Sequence, residues 1–91
     1  MDFFFKSEGC IACDFLSMWL KENKEKWTGS LKIVEVEFDN NTDKIITYIE
    51  GKDCGESPVG KVPAYYSSLR NELVTGFDAV RKEFENASWN N

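Results

Sequence analysis

Phe3, Phe4 and Phe5 stand side by side near the start of the chain, within the run "DFFFK" of residues 2 to 6. Successive side chains of a β-strand point to opposite faces, so a strand built from this run puts large rings on both sides. It therefore needs cover above and below, and that requirement predicts a layered α/β fold. Ninety-one residues suit one domain, 1–91, small for a hydrophobic core but large enough to fold without a staple. With 42% hydrophobic residues, among them seven Phe, three Trp and three Tyr, the composition argues against a disordered chain.

Periodicity orders the remaining elements. The aromatic run ends at "SEG", and from Ile11 the segment "IACDFLSMWLKENKEKW" reads as a helix, with Phe15, Met18, Trp19 and the stem of Glu22 over neighbouring turns. Gly29 and Ser30 stop it. "LKIVEVEFD", residues 31 to 39, is a strand: Val34, Val36 and Phe38 share one face, and Leu31 and Ile33 begin the other before Glu35 and Glu37 turn it polar. "NNTDKIITYIEGKD" reads as a second helix, starting at Asn41 or Thr42, carrying Ile45, Ile46, Tyr48 and Ile49 as its stripe and ending at Gly51. Residues 52 to 61, "KDCGESPVGK", read as loop. "VPAYYSS" and "NELVTG" form a candidate antiparallel hairpin, its first strand constrained by Pro63. A last helix, "FDAVRKEFENA", places Phe77, Val80, the stem of Arg81 and Phe84 on adjoining faces. The terminal "SWNN" has two readings, a frayed end or a Trp89 folded back onto the domain. The order β-α-β-α-β-β-α predicts a small mixed sheet with helices on both sides.

The formal net charge of -5 gives no reason to expect a nucleic acid as partner. No stretch has the apolar length of a membrane span, and "MDFFF" lacks the basic and longer apolar regions of a signal peptide, so a cytoplasmic location without membrane attachment is the expectation.

The chemistry concentrates in "GCIACD", residues 9 to 14. Cys10 and Cys13 are spaced to put the first thiol at a helix N-terminus and the second one turn later. Free amides and the helix dipole stabilise a thiolate there, so Cys10 is the more exposed and acidic thiol and Cys13 the sheltered one that resolves a mixed disulfide. Lys6 adds positive potential; Glu8 and Asp14 oppose it. A metal site is the weaker reading, because histidine is absent and Cys10, Cys13 and Cys54 supply three thiols where a structural zinc takes four ligands. A structural disulfide is the other alternative. Cys54 reads as a free loop thiol, and Trp19, Trp27 and Trp89 as packing or surface residues.

Three pieces, "FFFKSEGCIAC", "KVPAY" and "LVTGFDAVRKEF", resemble the thioredoxin-like superfamily and within it glutaredoxins most closely. The resemblance implies a four-stranded mixed sheet flanked by helices and a thiol-disulfide oxidoreductase with no bound cofactor and no metal. It makes Cys10 the nucleophile and Cys13 the resolving thiol, and implies a cis Pro63 facing the dithiol. Val62 would offer backbone hydrogen bonds to glutathione or a peptide, with Lys6 and Ile11 beside it. Thr75, Gly76, Phe77 and Asp78 would rim the pocket for the glutathione γ-glutamyl end, Asp78 also being a candidate helix cap. Implied partners are glutathione or a thioredoxin-reductase-type reductant and a disulfide-containing protein such as ribonucleotide reductase. Ile11 and Ala12 stand where glutaredoxins usually have proline and tyrosine, and Thr75 where they often have a second glycine. A redox-inactive binding or assembly protein of the same fold is the rival reading.

Overall fold

The computed structural model describes residues 1–87 and 89. Strand β1 (Asp2–Lys6) leads into helix α1 (Ile11–Glu22) and a single turn α2 (Lys24–Trp27), followed by strands β2 (Leu31–Asp39), β3 (Lys44–Ile49), β4 (Lys52–Glu56), β5 (Ala64–Ser67) and β6 (Glu72–Thr75) and helix α3 (Phe77–Asn86). The expected helix from Ile11 breaks at Asn23, whose side-chain amide donates to the Trp19 carbonyl at 2.8 Å and whose backbone N–H reaches Trp19 and Leu20. The strands form one mixed sheet in the order β4-β3-β2-β1-β5-β6. β1 lies parallel to β2 and antiparallel to β5, with Phe4 opposite Ile33 on one side and Tyr65 on the other.

The four strands expected from the sequence, β2, β1, β5 and β6, are adjacent in that order. The sheet nevertheless has six strands, and its full order departs from the four-stranded thioredoxin-like arrangement. The difference lies in residues 41 to 56, where the expected second helix and loop are a β-hairpin. Thr42 N–H bonds the Asp39 carbonyl, the Asn41 amide bonds Asp39 Oδ1 at 2.9 Å, and Asp43 takes a left-handed φ of 55°, closing a turn where a helix start was expected. Ile49 then pairs with Lys52 across Glu50 and Gly51, both at positive φ (56° and 78°), the geometry of a two-residue primed turn that matches strand twist. "KIITYI" is rich in β-branched and aromatic residues, which pack well on a pleated surface. In strand register Ile45 and Thr47 sit opposite Phe38 and Val36, extending the apolar face of β2. Cys54 consequently lies on an edge strand, not in a loop.

Losing that helix leaves the two faces of the sheet covered by different means. On one face Phe4, Leu31 and Tyr65 pack with Leu16 and Leu20 of α1 and Val80 and Phe84 of α3. Phe84 sits at the centre, its ring 5.2 Å from Phe4, 5.7 Å from Tyr65 and 5.6 Å from Trp19 between centroids. The expectation of helices on both sides is therefore corrected, since α1 and α3 share this face. The other face carries Phe5, Val34, Val36 and Ala64, and its buried lid residue is Val59. Val59 belongs to residues 57–63, which join β4 to β5. Those strands are four positions apart, about 19 Å, so the segment has to cross the sheet as a strap. Ser57 pins it, donating from its backbone N–H to the Ile45 carbonyl and exchanging two hydrogen bonds with the Val59 backbone through its hydroxyl. Beside the strap an apolar groove of about 370 Å³ stays open, bordered by Phe3, Ile49, Pro58, Tyr66 and Leu73.

At the N-terminal end of β1, Asp2 ties distant segments together. It accepts from the Tyr65 hydroxyl, from the backbone and side chain of Ser68 at 3.0 Å, and from the Trp89 indole at 3.2 Å. Trp89 thus packs back onto the helix-covered core. Burial alone would raise the Asp2 pKa, but the bonds from Tyr65, Ser68 and Trp89 outweigh it and hold the carboxyl below its ordinary 3.8. Burial and the bond to Asp2 push the Tyr65 phenol well above its ordinary 10.0.

Two outcomes are expected in urea unfolding. Val59→Ala should cost about 1–2 kcal/mol through lost apolar burial under the strap, whereas Phe38→Ala, at a side chain 58% exposed, should change stability by less than about 0.5 kcal/mol. Tyr65→Phe should cost about 1 kcal/mol near pH 7. The depressed Asp2 contributes stability that is full above pH 3.8 and lost as pH falls through its folded value; the raised Tyr65 contributes stability full below pH 10.0 and lost as pH rises. The substitution should therefore narrow the gap to wild type at both extremes, read as midpoints across pH.

Candidate functional site

β1 ends at Lys6, and the chain turns through Ser7, Glu8 and Gly9 into α1. Gly9 has φ 82°, a left-handed conformation that a residue without Cβ adopts freely. The Cys10 N–H meets the Ser7 carbonyl at 3.4 Å, and Cys10 itself is the N-cap of α1, extended at φ −86° and ψ 103°. Its carbonyl accepts the Asp14 N–H at 3.1 Å, while its sulfur accepts the Cys13 N–H at 3.1 Å, the position a serine or aspartate oxygen occupies in an ordinary cap. Cys10 and Cys13 are joined as a disulfide with Cα atoms 5.1 Å apart. Cys13 is fully buried and Cys10 half-buried. Ser17 steadies the same turn, its hydroxyl donating to the Cys13 carbonyl at 2.8 Å.

The strap delivers a second segment to this end of the sheet. The Val62–Pro63 peptide is cis, as the resemblance implies, with Pro63 buried and Val62 half-buried. The Pro63 carbonyl accepts the Gly76 N–H at 3.0 Å, while Ala64 pairs with Phe5 and with Thr75. The C-terminal end of β1, the start of β5 and the end of β6 therefore lie at one end of the sheet, the end from which the Gly9–Cys10 turn departs. Thr75 is exposed there, and Gly76 (φ 98°) is the N-cap of α3. No side chain caps α3, so the capping alternative for Asp78 is not found; Asp78 is an exposed carboxylate in the first turn. Phe77 is half-buried, its ring 6.5 Å from Phe15 of α1 and 5.8 Å from the Arg81 guanidinium. Lys6 is half-buried at the end of β1, and Ile11 is 73% exposed beside the dithiol.

Cys54 is an exposed free thiol on β4. That strand lies three positions from β1, about 14 Å across the sheet, so the three thiols are not gathered into one ligand set. Among the described residues no group of three or more His, Cys, Asp or Glu side chains is arranged to hold a metal ion.

Sequence reading missed the outward face of α1. Phe15 and Met18, grouped there with Trp19, are 59% and 57% exposed, and the buried positions are Cys13, Leu16 and Leu20. The signal was available: 13, 16 and 20 follow the helical repeat, which turns 11, 15 and 18 to the opposite side.

Among the described residues no helix is long and apolar enough to cross a membrane. No protein-family model matches the chain, and no curated protein or solved structure matches it either. The molecule is a small α/β domain with a disulfide-forming cysteine pair in CxxC spacing, an arrangement consistent with a redox-active site.

The Cys13 amide and the α1 N-terminus are directed at the Cys10 sulfur, and Cys13 is buried, which sets up a difference in reactivity between the two thiols once the bond is reduced. Iodoacetamide at pH 7 should modify Cys10 on the order of tenfold faster than Cys13, read by mass spectrometry of the digested protein.

Proposed function

We propose that the protein is a glutaredoxin-like thiol-disulfide oxidoreductase. The observation that carries this reading is the Cys13 N–H directed at the Cys10 sulfur at 3.1 Å, with Cys13 buried one helical turn away. A thiolate at Cys10 attacks one sulfur of a substrate disulfide, forming a Cys10 mixed disulfide and expelling the other substrate thiolate. The Cys13 thiol then loses its proton and attacks the Cys10 sulfur, closing the Cys10–Cys13 bond and releasing the second thiolate. The substrate gains two electrons and the dithiol gives them up. Two glutathione molecules return the pair to dithiol and leave as glutathione disulfide; a thioredoxin-reductase-type donor would serve the same purpose.

In this reading the cis Pro63 and the backbone of Val62 hold the extended chain of the mixed disulfide, and Lys6 and Ile11 border it. Thr75, Gly76, Phe77 and Asp78 receive the γ-glutamyl end of glutathione, where α3 offers free amides for a carboxylate and Asp78 an acceptor for an ammonium. Support comes from the Gly76–Pro63 hydrogen bond, which joins the two halves of that surface. A disulfide-bearing protein, ribonucleotide reductase being one candidate, is the substrate, and a cytoplasmic setting would suit a dithiol kept reduced.

Reduction of a small symmetrical disulfide coupled to glutathione should fall below about 1% in Cys10→Ser, because the attacking atom is gone. Cys13→Ser should accumulate a Cys10 mixed disulfide visible by intact mass and keep part of its activity on glutathione mixed disulfides. Full activity in Cys10→Ser would remove the assignment and leave the redox-inactive binding protein as the better reading.

A further inference from the structure

The outward face of α1 is apolar where a helix so placed is ordinarily polar. Ile11, Phe15 and Met18 are 73%, 59% and 57% exposed, and their i, i+4, i+7 spacing aligns them in one stripe. Helical side chains lean toward the N-terminus, so the stripe leans toward the dithiol. Its upper end is the residue after Cys10, and Phe15 meets the Phe77 ring at 6.5 Å, which widens it toward α3. From Ile11 to Met18 it runs about 10 Å, the length of three extended residues. Glutathione has one residue on each side of its cysteine and does not reach that far. A polypeptide does. Three exposed carboxylates, Glu8, Asp14 and Glu22, lie on and just before α1, against two exposed cations, Lys21 of α1 and Arg81, whose guanidinium sits 5.8 Å from the Phe77 ring.

We infer that this stripe selects the substrate, and that the substrate is a polypeptide disulfide whose cysteine is followed or preceded by apolar side chains with a basic residue among them. This rests on the oxidoreductase reading and extends it. Once the Cys10 mixed disulfide forms, neighbouring apolar residues of the partner lie along Ile11, Phe15 and Met18, and its basic residue meets the acidic rim. Apolar burial along the stripe lengthens the encounter without touching the exchange itself.

Full-length reduced protein would be mixed with three disulfides carrying the same coloured leaving thiol: a peptide with three apolar residues and a lysine beside its cysteine, a serine-glycine peptide, and 2-mercaptoethanol. Wild type should react on the order of tenfold faster with the apolar peptide than with the serine-glycine peptide, in line with the area offered. Phe15→Ser/Met18→Ser should lose that preference while its rate with the 2-mercaptoethanol disulfide stays within about twofold; Met18→Ser alone should lose part of it. Equal rates for the two peptides on wild type, or a preference untouched in both variants, would overturn the inference and leave the oxidoreductase reading standing. No reaction of wild type with any of the three would remove that reading and the inference with it. A concentration-dependent dimer in sedimentation that the double variant abolishes would assign the stripe to a second copy and overturn the proposal.

Discussion

The structure depends on burying the three rings of β1 on both faces of a sheet at once. Phe4 turns to the helices and is fully buried; Phe5 turns to the strap and is nearly so. Each ring removed from water is worth about 1.5–3 kcal/mol, so neither cover is dispensable in a chain of this size. β1 is also held along both edges, parallel to β2 and antiparallel to β5. A strand fixed in all four directions gives the Gly9–Cys10 turn a rigid point of departure, and the first turn of α1 inherits its position from it.

The two covers do different work. α1 and α3 close one face through the Phe84 cluster and supply both helix N-termini near the dithiol edge. The strap closes the other with the buried side chain of Val59, then runs into the cis Val62–Pro63 bond and the carbonyl that holds Gly76. Cover and cis bond therefore belong to one segment. The hairpin of β3 and β4 makes this possible, because it sends the chain to the far edge and obliges residues 57–63 to return across the sheet.

What the sequence made legible was what local chemistry determines. The aromatic run, the alternation of residues 31 to 39, the hairpin after Pro63 and the last helix each carry one dominant period, and β1, β2, β5, β6 and α3 follow from it. Ile45, Ile46, Tyr48 and Ile49 satisfy a helical stripe and a two-faced strand equally, and only the turn at Glu50 and Gly51 and pairing with β2 decide between them. The C-x-x-C pair was legible because its chemistry sits within a single turn. The exposed stripe of α1 was legible only as the complement of 13, 16 and 20, because Trp19 beside Phe15 and Met18 makes the other side of the helix equally apolar. Asp2, Tyr65 and Trp89 lie up to 87 positions apart, and no local pattern announces their bonding.

The charge around the dithiol opposes a thiolate. The chain carries a net charge of -5, and Glu8 and Asp14 stand on either side of the pair. Both carboxylates are exposed, so water and salt screen their effect on Cys10. The Cys13 amide is different in kind: it contacts the sulfur at 3.1 Å in a partly buried turn, where the local dielectric is low and the donor does not reorganise. A close, oriented dipole acts on the Cys10 sulfur directly, whereas the two exposed carboxylates act on it through water.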